Sequence, residues 1–480
     1  MSSSAVPYTI ETEVPPSYLG KLIDFIYKSY LLPQRERFSD VSRETLEGAP
    51  SIVFTVSDSK GTPRLHVEVR GSKPIEMKIA PLDEEVSETM IDEIKHDVLI
   101  TVQVFEEEVR KTTLYFAWRE GEKIISEELY GRERKPINRM FLETQILLFI
   151  VFIALGIFLF SILGWLTPVV LMAAQFILIL YSNKIIARSA DWRINESNPT
   201  IHILEYHLTM QEAEKLRQSY SRDKLMTMKK EIYENILAKK GEIDCEAAGE
   251  VFAKYGVACQ PENLAAKKVN VYQLVKKAAE RFGLPMPEVV VSNTMIPNAA
   301  ASGPSPSRGV VLLTTGLLVQ LEEDEILSVL GHELGHLKGR DPLLLYGLST
   351  GEFLFRFYVL GQFFPFIFYS FLLFLYFWVV MTVIYFIAKF FEARADLISA
   401  MVMGQPQALA EALQKIGFRR LMYERAPSFR FQEWISLEPH PPIYFRVERL
   451  EKLEVPIKVK YPFIQSLKDV TKGFLQTLGM

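Results

Sequence analysis

Between Ile146 and Tyr181 the chain carries no Asp, Glu, Lys or Arg. That run is about twice the ~20 residues that cross one bilayer as a helix. A buried core helix rarely runs so long, so part of this fold has to be built in lipid. Gly164-Trp165-Leu166-Thr167-Pro168 breaks the run near its middle, which predicts two membrane helices, about 146–163 and 167–182, joined by a tight hairpin. Arg132, Arg134, Lys135 and Arg139 precede the hairpin and Lys184, Arg188 and Arg193 follow it, so both flanks read as cytoplasmic. A second apolar region, 343–389, is broken around Gly361-Gln362-Phe363-Phe364-Pro365 and predicts segments of about 343–361 and 366–388. The first of these carries Glu352 and Arg356, four residues apart: either an internally satisfied pair or groups facing a polar cavity, in a segment that spans or re-enters. Lys338, Arg340, Lys389 and Arg394 again put both ends on the cytoplasmic side.

Outside these regions the 480 residues leave room for further domains. Hydrophobic residues make up 49% and charged residues 23%, a combination that concentrates apolar residues in segments. A net charge of −4 is too small to suggest nucleic acid or an anionic membrane as the main partner of the whole chain. Cys245 and Cys259 are too few for a disulfide framework and lack zinc-type spacing, which favours a reducing compartment. The opening Met1-Ser2-Ser3-Ser4-Ala5-Val6-Pro7 does not read as a secretory signal. Residues 1–138 alternate strand patterns such as Ser51 to Val56 and His66 to Val69 with a helical one from Leu19 to Tyr30, and Asp58-Ser59-Lys60-Gly61 marks a hairpin turn. This predicts a soluble α+β domain whose role the residues do not announce. Residues 183–264 read as a helical region. His66, His96, His202 and His207 are isolated or misaligned and read as structural.

The chemistry concentrates at His332-Glu333-Leu334-Gly335-His336. On a helix the two imidazoles share one face and can reach one metal, while Glu333 stays free to handle a proton. Leu321 to Leu330 supplies acids in a first turn followed by apolar residues at helical spacing, and Gly339 with Pro342 supplies a stop. A catalytic zinc takes three protein ligands and keeps a fourth position open. The best third candidate is Glu392, in Phe391-Glu392-Ala393-Arg394-Ala395-Asp396 just after the last apolar segment. Asp396 shares its helical face and can orient a ligand imidazole.

An HExxH followed by ExxAD, with membrane helices before the first motif and between the two, resembles the membrane zinc endopeptidases typified by HtpX, relatives of the CAAX prenyl endopeptidases. The resemblance covers about residues 140–455. It implies one Zn2+ per chain held by His332, His336 and Glu392, with Glu333 as general base and Asp396 supporting a ligand histidine. Pro297-Asn298-Ala299-Ala300-Ala301-Ser302-Gly303 resembles the family's strand along the cleft, which implies substrate contact by Asn298, Ala299 and Ala300. From the residues themselves, Asn298–Ser302 can pair with Gly309–Thr314 and present an edge to an extended peptide. His440-Pro441-Pro442 with Arg446 resembles the family's C-terminal motif and implies that both side chains lie near the active site; His440, stiffened by two prolines, suits an oxyanion donor. An N-terminal domain and a long region after the second span depart from the compact family pattern.

The expected fold is a mostly α multi-pass membrane protein with a zinc protease domain of the gluzincin type, containing a short sheet with an edge strand, and an N-terminal α+β domain. The protease domain is divided into 265–342 and 390–480 by the second hairpin. The expected activity is zinc-dependent hydrolysis of membrane or unfolded polypeptides near the cytoplasmic face, in quality control. Alternatives are the processing of prenylated peptides and a non-catalytic membrane-anchored binding protein with a relict zinc site. The expected surroundings are a cell membrane, with both soluble parts cytoplasmic, lipid as a partner and no nucleic acid; the sequence leaves the oligomeric state open.

Overall fold

The computed structural model describes residues 6–58, 60–83, 86–121, 124, 145–219, 222–239, 241–424 and 427–479. Arg132, Arg134, Lys135, Arg139 and Ser59 lie outside the described residues. The chain divides into two units, Met1–Trp118 with His202–Lys267 and Arg119–Ile201 with Lys268–Met480.

In the first unit, β1 (Val6–Ile10), β2 (Phe38–Leu46), β3 (Ala49–Ser57), β4 (Pro63–Arg70) and β5 (Ile75–Pro81) form an antiparallel sheet in the order β1-β5-β4-β3-β2. Every second residue faces the core: Ile52, Phe54 and Val56, then Leu65, Val67 and Val69, then Ile75, Met77 and Ile79 are fully buried. This is the period that puts alternate side chains on one face. Two helices cover that face, α1 (Leu19–Ile26) through Leu22 and Ile26 and α2 (Glu88–Arg110) through Ile94, Val98 and Val102. Asp58 accepts from the Lys60 and Thr62 amides and Gly61 takes φ 80°, closing the β3–β4 turn.

Two expectations need correction. The region 183–264 is not simply helical, because Thr200–His207 is a strand, paired in a three-stranded sheet with Thr113–Arg119 and Leu264–Asn270. Its residues from Ile201 to His207 are buried on both faces, so the alternation that announces a half-exposed strand is absent. The helices that follow therefore join the N-terminal residues in one unit. Cys245 and Cys259 are also bonded to each other. The start of the helix Cys245–Lys254 and the loop after it bring their Cα atoms to 5.6 Å, within disulfide reach. A low cysteine count therefore gives no argument here for a reducing compartment.

The second unit holds the apolar helices. Among the described residues, three stretches have the length and hydropathy to cross a membrane: Ala154–Leu180, Asp341–Phe363 and Phe371–Met403. The first bends at Gly164, with φ 51°, into α3 (Gln145–Leu163) and α4 (Thr167–Leu180). These helices fold back on each other, since a Cβ on Gly156 would meet Leu171 at 3.9 Å.

A four-stranded sheet runs β8-β9-β7-β6, built from β6 (Trp192–Ile194), β7 (Glu288–Ser292), β8 (Ala299–Ser302) and β9 (Val310–Thr314). β7 and β9 are parallel, and β8 is an antiparallel edge strand on β9. Helix α5 (Glu323–Gly339) follows, opened by a Glu322/Glu325 capping box and three first-turn acids, which satisfy free amides and suit the positive end of the helix dipole. Arg340, with φ 54°, ends it.

Helix α6 (Asp341–Phe355) begins at the next residue and runs along the first hairpin, with the Tyr346 hydroxyl donating to Met172 O at 2.6 Å. Glu352 and Arg356 pair at 3.0 Å, and the Tyr376 hydroxyl also donates to Glu352. Helix α7 (Phe371–Met403) has 33 residues. At 1.5 Å per residue it is about 50 Å long, well beyond the ~30 Å that one crossing of hydrocarbon takes, and the motif residues Glu392 and Asp396 fall in the part past that length, here called its overhang. Helices α8 (Pro406–Glu424), α9 (Ile443–Glu451) and α10 (Pro462–Thr477) complete the unit.

Candidate metal centre

The site forms where α5 and α7 pack at close range. Gly331, Gly335 and Gly339 line one side of α5 at four-residue intervals. A Cβ on Gly331 would lie 2.5 Å from Ser399 Oγ, and one on Gly335 would lie 3.3 Å from Ala395 Cα. A Cβ on Gly339 would overlap the Arg394 guanidinium. Absent side chains thus let α7 approach until Glu392 faces both histidines. His332 Nε2 and His336 Nε2 are 3.1 Å apart, and the Glu392 carboxylate oxygens lie 3.4 Å from the first and 3.3 Å from the second.

These three side chains are the group of donors, among the described residues, that could hold a metal ion. The fit is chemical as well as spatial. Two nitrogens about 2.0 Å from one zinc at a tetrahedral angle stand about 3.3 Å apart, close to the observed spacing. Glu392 Oε2 is buried and has no hydrogen-bond partner among the described residues, an arrangement that costs free energy unless a cation satisfies it. The potential points the same way. Burial alone would lower His336, yet Glu392 and Asp341 push it up to about 10. His332 is likewise raised against its burial, by Asp396 and Glu392.

Each imidazole is held from behind by a carboxylate that an arginine holds in turn. Asp396 Oδ1 lies 2.9 Å from His332 Nδ1, and Arg446 grips Asp396 with both arms of its fork at 2.8 and 2.7 Å. Asp341 Oδ2 lies 2.7 Å from His336 Nδ1, and Arg394 donates to Asp341. Such partners fix the ring and raise its basicity toward a metal. Arg446 also reaches to 3.9 Å from Glu392, so its first partner is Asp396.

From sequence, Asp341 has no assigned role and Arg394 counts only as a flanking charge. Asp341 is five residues past His336, a spacing that points away on a continuous helix; only the left-handed Arg340 turns the chain back and brings it behind the ring. Arg394 stands inside the ExxAD motif, and its reach depends on the space above Gly339.

Glu333 is not among the three donors. Its Oε2 accepts the Ala301 amide at 2.8 Å, so it is moored to the edge strand, and burial raises its carboxyl above the usual range. Ala299 and Ala300 lie on that strand, opposite Leu313 and Leu312. Asn298, just before its start, donates its amide to the Thr314 hydroxyl at 2.9 Å and accepts the Thr314 amide on its carbonyl at 3.1 Å.

His440 Nε2 is 3.6 Å from Glu392 Oε2, with 43% of its side chain exposed. Two buried charges hold the segment that carries it. Lys389, one helical turn before Glu392, is fully buried and donates to Ser436 O and Glu438 O. Glu424 accepts the Ile443 and Tyr444 amides at 3.0 and 2.8 Å, fixing the start of α9.

The sequence profile of Peptidase family M48 matches residues 265–454, a span that includes both metal motifs, the edge strand and His440. A protease HtpX homologue of Gemmatimonas aurantiaca is 31% identical over 227 residues, covering 38% of this chain and 75% of that protein. One from Pyrococcus furiosus is 31% identical over 218 residues, 40% of this chain and 75% of the relative. One from Thermococcus kodakarensis reaches 45% over a shorter stretch of 75 residues, 16% and 26% of the two chains. The crystal structure of S. mikatae Ste24p aligns at 19% identity over 37% of this chain and 48% of that one, with a TM-score of 0.30, too slight a likeness to argue from. With a relative matched over three quarters of its length and a metal-ready HExxH site between apolar helices, the chain belongs to peptidase family M48 and is a membrane metalloprotease of the HtpX type.

Proposed function

We propose that the chain is a zinc-dependent endopeptidase, one Zn2+ per chain on His332, His336 and Glu392, that cuts membrane proteins or unfolded polypeptides close to the cytoplasmic face in a quality-control role. The observation that carries this reading is the division of labour at one point in space. Three donors converge within 4.8 Å of one another, while Glu333, on the same helix, is turned to the edge strand instead. A purely structural site has no use for that fourth, moored carboxylate.

When bound, zinc supplies a Lewis acid that polarises the scissile carbonyl and acidifies water. Glu333 takes the proton of the attacking water and passes it to the leaving amine, and its burial keeps its carboxyl basic enough for both transfers. Extended substrate adds to the free side of β8, with Asn298, Ala299 and Ala300 contributing backbone groups. His440, open to solvent on one side, donates to the oxyanion. Arg446 acts through Asp396 by holding His332. Asp341 starts α6 and Glu392 lies on the overhang of α7, so the proposed cut is made within a few residues of the bilayer. The proposed topology is two membrane hairpins, four crossings in all, with the N-terminal and protease parts cytoplasmic.

The test is cleavage of a model membrane substrate by the full chain in detergent, with wild type, Glu333→Ala and a chelated sample side by side, and with zinc content measured in each. Loss of cleavage in both treated samples, with zinc retained in Glu333→Ala, is the expected result. Unchanged cleavage in either one contradicts the mechanism.

A further inference from the structure

Helix α10 lies beyond the residues that match the peptidase family, and its surface has no part in the metal site. It packs on the overhang and upper span of α7: Phe474 meets Phe386 at 5.3 Å between ring centroids and Phe463 meets Phe391 at 6.1 Å. Ser466, Val470 and Gly473 are its buried face, and Gly473 leaves room for the Phe445 ring.

Beside that face, Ile464, Leu467, Thr471, Leu475 and Leu478 follow at three- and four-residue intervals. Its leucines and isoleucine are between 38% and 49% exposed. Large apolar side chains in such a row, next to a membrane helix, are costly in water. Lys468 and Lys472 border the row, and both line a shallow groove with Leu467, Thr471, Leu475 and Gln476. The acid of this helix, Asp469, sits on the other flank and is taken up by Arg449 at 2.8 Å and Gln465. The order around the helix is therefore packed face, exposed apolar row, lysines, then polar residues. That order fits a helix lying at the edge of a bilayer, with long cationic side chains reaching up to headgroups. The Phe386–Phe474 contact sets the C-terminal half of α10 level with the end of the apolar stretch of α7.

We propose that α10 rests in the boundary of the bilayer that α7 crosses, with Leu467, Leu475 and Leu478 among acyl chains and Lys468 and Lys472 on the phosphates of anionic phospholipids. The proposal rests on α7 crossing a bilayer. It gives the metal-bearing overhang of α7 a second foothold on the membrane. The slight negative charge of the whole chain does not oppose it, because headgroup attraction is local and decays within about one Debye length, ~10 Å.

The test uses the full chain reconstituted in phosphatidylcholine vesicles with and without phosphatidylglycerol. The native cysteines are bonded to each other, so a single introduced thiol carries an environment-sensitive fluorophore, in Leu475→Cys, Gln465→Cys or Val379→Cys. Quenching by spin-labelled lipids of different depth gives the readout. Expected are strong quenching of the Leu475→Cys label by shallow spin labels, several-fold weaker quenching of Gln465→Cys, and quenching of Val379→Cys by deep ones. The Leu475→Cys signal should strengthen with phosphatidylglycerol, and this dependence should be lost when Lys468→Gln and Lys472→Gln are added. If Val379→Cys is quenched while Leu475→Cys behaves like Gln465→Cys, α10 stands off the membrane and the proposal fails while the spanning of α7 survives. If neither is quenched, α7 does not cross and both fall. Dependence on phosphatidylglycerol that persists in the double variant overturns the phosphate contact.

Discussion

Both units bury acids, but on opposite terms. In the first unit Arg110 reaches Glu13 at 2.9 Å and Glu106 at 3.4 Å, while Glu205 feels Lys267 ahead of Arg110. Burial and then the charge of Glu13 push Glu205 up to about 8, and burial pushes Glu106 up to about 6. In the second unit Asp341 and Asp396 each have an arginine of their own and Glu392 faces two imidazoles. A cluster of buried carboxylates is therefore not a site by itself. What separates the two is convergence: in the protease unit three donors from two helices point at one spot, and positive charge is favoured there.

The comparison can be broken or sharpened in steps. Removing the oxyanion donor in His440→Ala should lower kcat by about 10²–10³ with bound metal unchanged. Lys389→Met, which frees the segment carrying His440, should lower kcat in the same direction but less, with Lys389→Arg recovering part of the loss. A fall in metal content in either variant would mean that this segment belongs to the cage instead. Asp341→Asn keeps the shape behind His336 but weakens its support, and should loosen zinc by about 10–100-fold in a chelator competition. No change in affinity would demote the Asp341–Arg394 pair to packing.

Smaller effects follow in the scaffold. Gly331→Ala puts a methyl group against Ser399 and Met403 and should cost about 1–3 kcal/mol of stability, seen as a lower Tm and weaker zinc retention. The remaining effect belongs to the first unit. The folded value of Glu205 lies above its ordinary 4.5, so its contribution to stability is full below about pH 4.5 and is lost as pH rises toward 8. Hydrogen exchange of the strand Thr200–His207, corrected for intrinsic rates, should show protection falling across that window. Glu205→Gln should flatten the fall, and an identical profile in the variant would remove this carboxyl from the account.

The legible features are those that repeat at short spacing. The helix with His332 and His336, the face shared by Glu392 and Asp396, the alternating strands β3 and β4 and the apolar stretches all follow from periods of a few residues. The pairing of Ala299–Ser302 with Val310–Thr314 could be read the same way. Asp341 was hidden by one residue of left-handed backbone, and Lys389 and Glu424 by bonding to backbone groups about 50 and 20 residues away, which leave no spacing to find. The strand at Thr200–His207 lost its alternation through burial on both faces. The Cys245–Cys259 bond depends on where a loop returns, and counting cysteines says nothing about that.

The central claim is that His332, His336 and Glu392 hold the metal while Glu333 works beside it. The most direct measurement is zinc stoichiometry by mass spectrometry on the purified full chain, with peptide cleavage measured on the same samples. Wild type should carry one zinc per chain and cleave; Glu333→Gln should carry one zinc and lose about 10²–10⁴ of its rate; Glu392→Gln should lose both zinc and cleavage. A Glu392→Gln protein that keeps full zinc, or a Glu333→Gln protein that keeps full activity, would contradict the account.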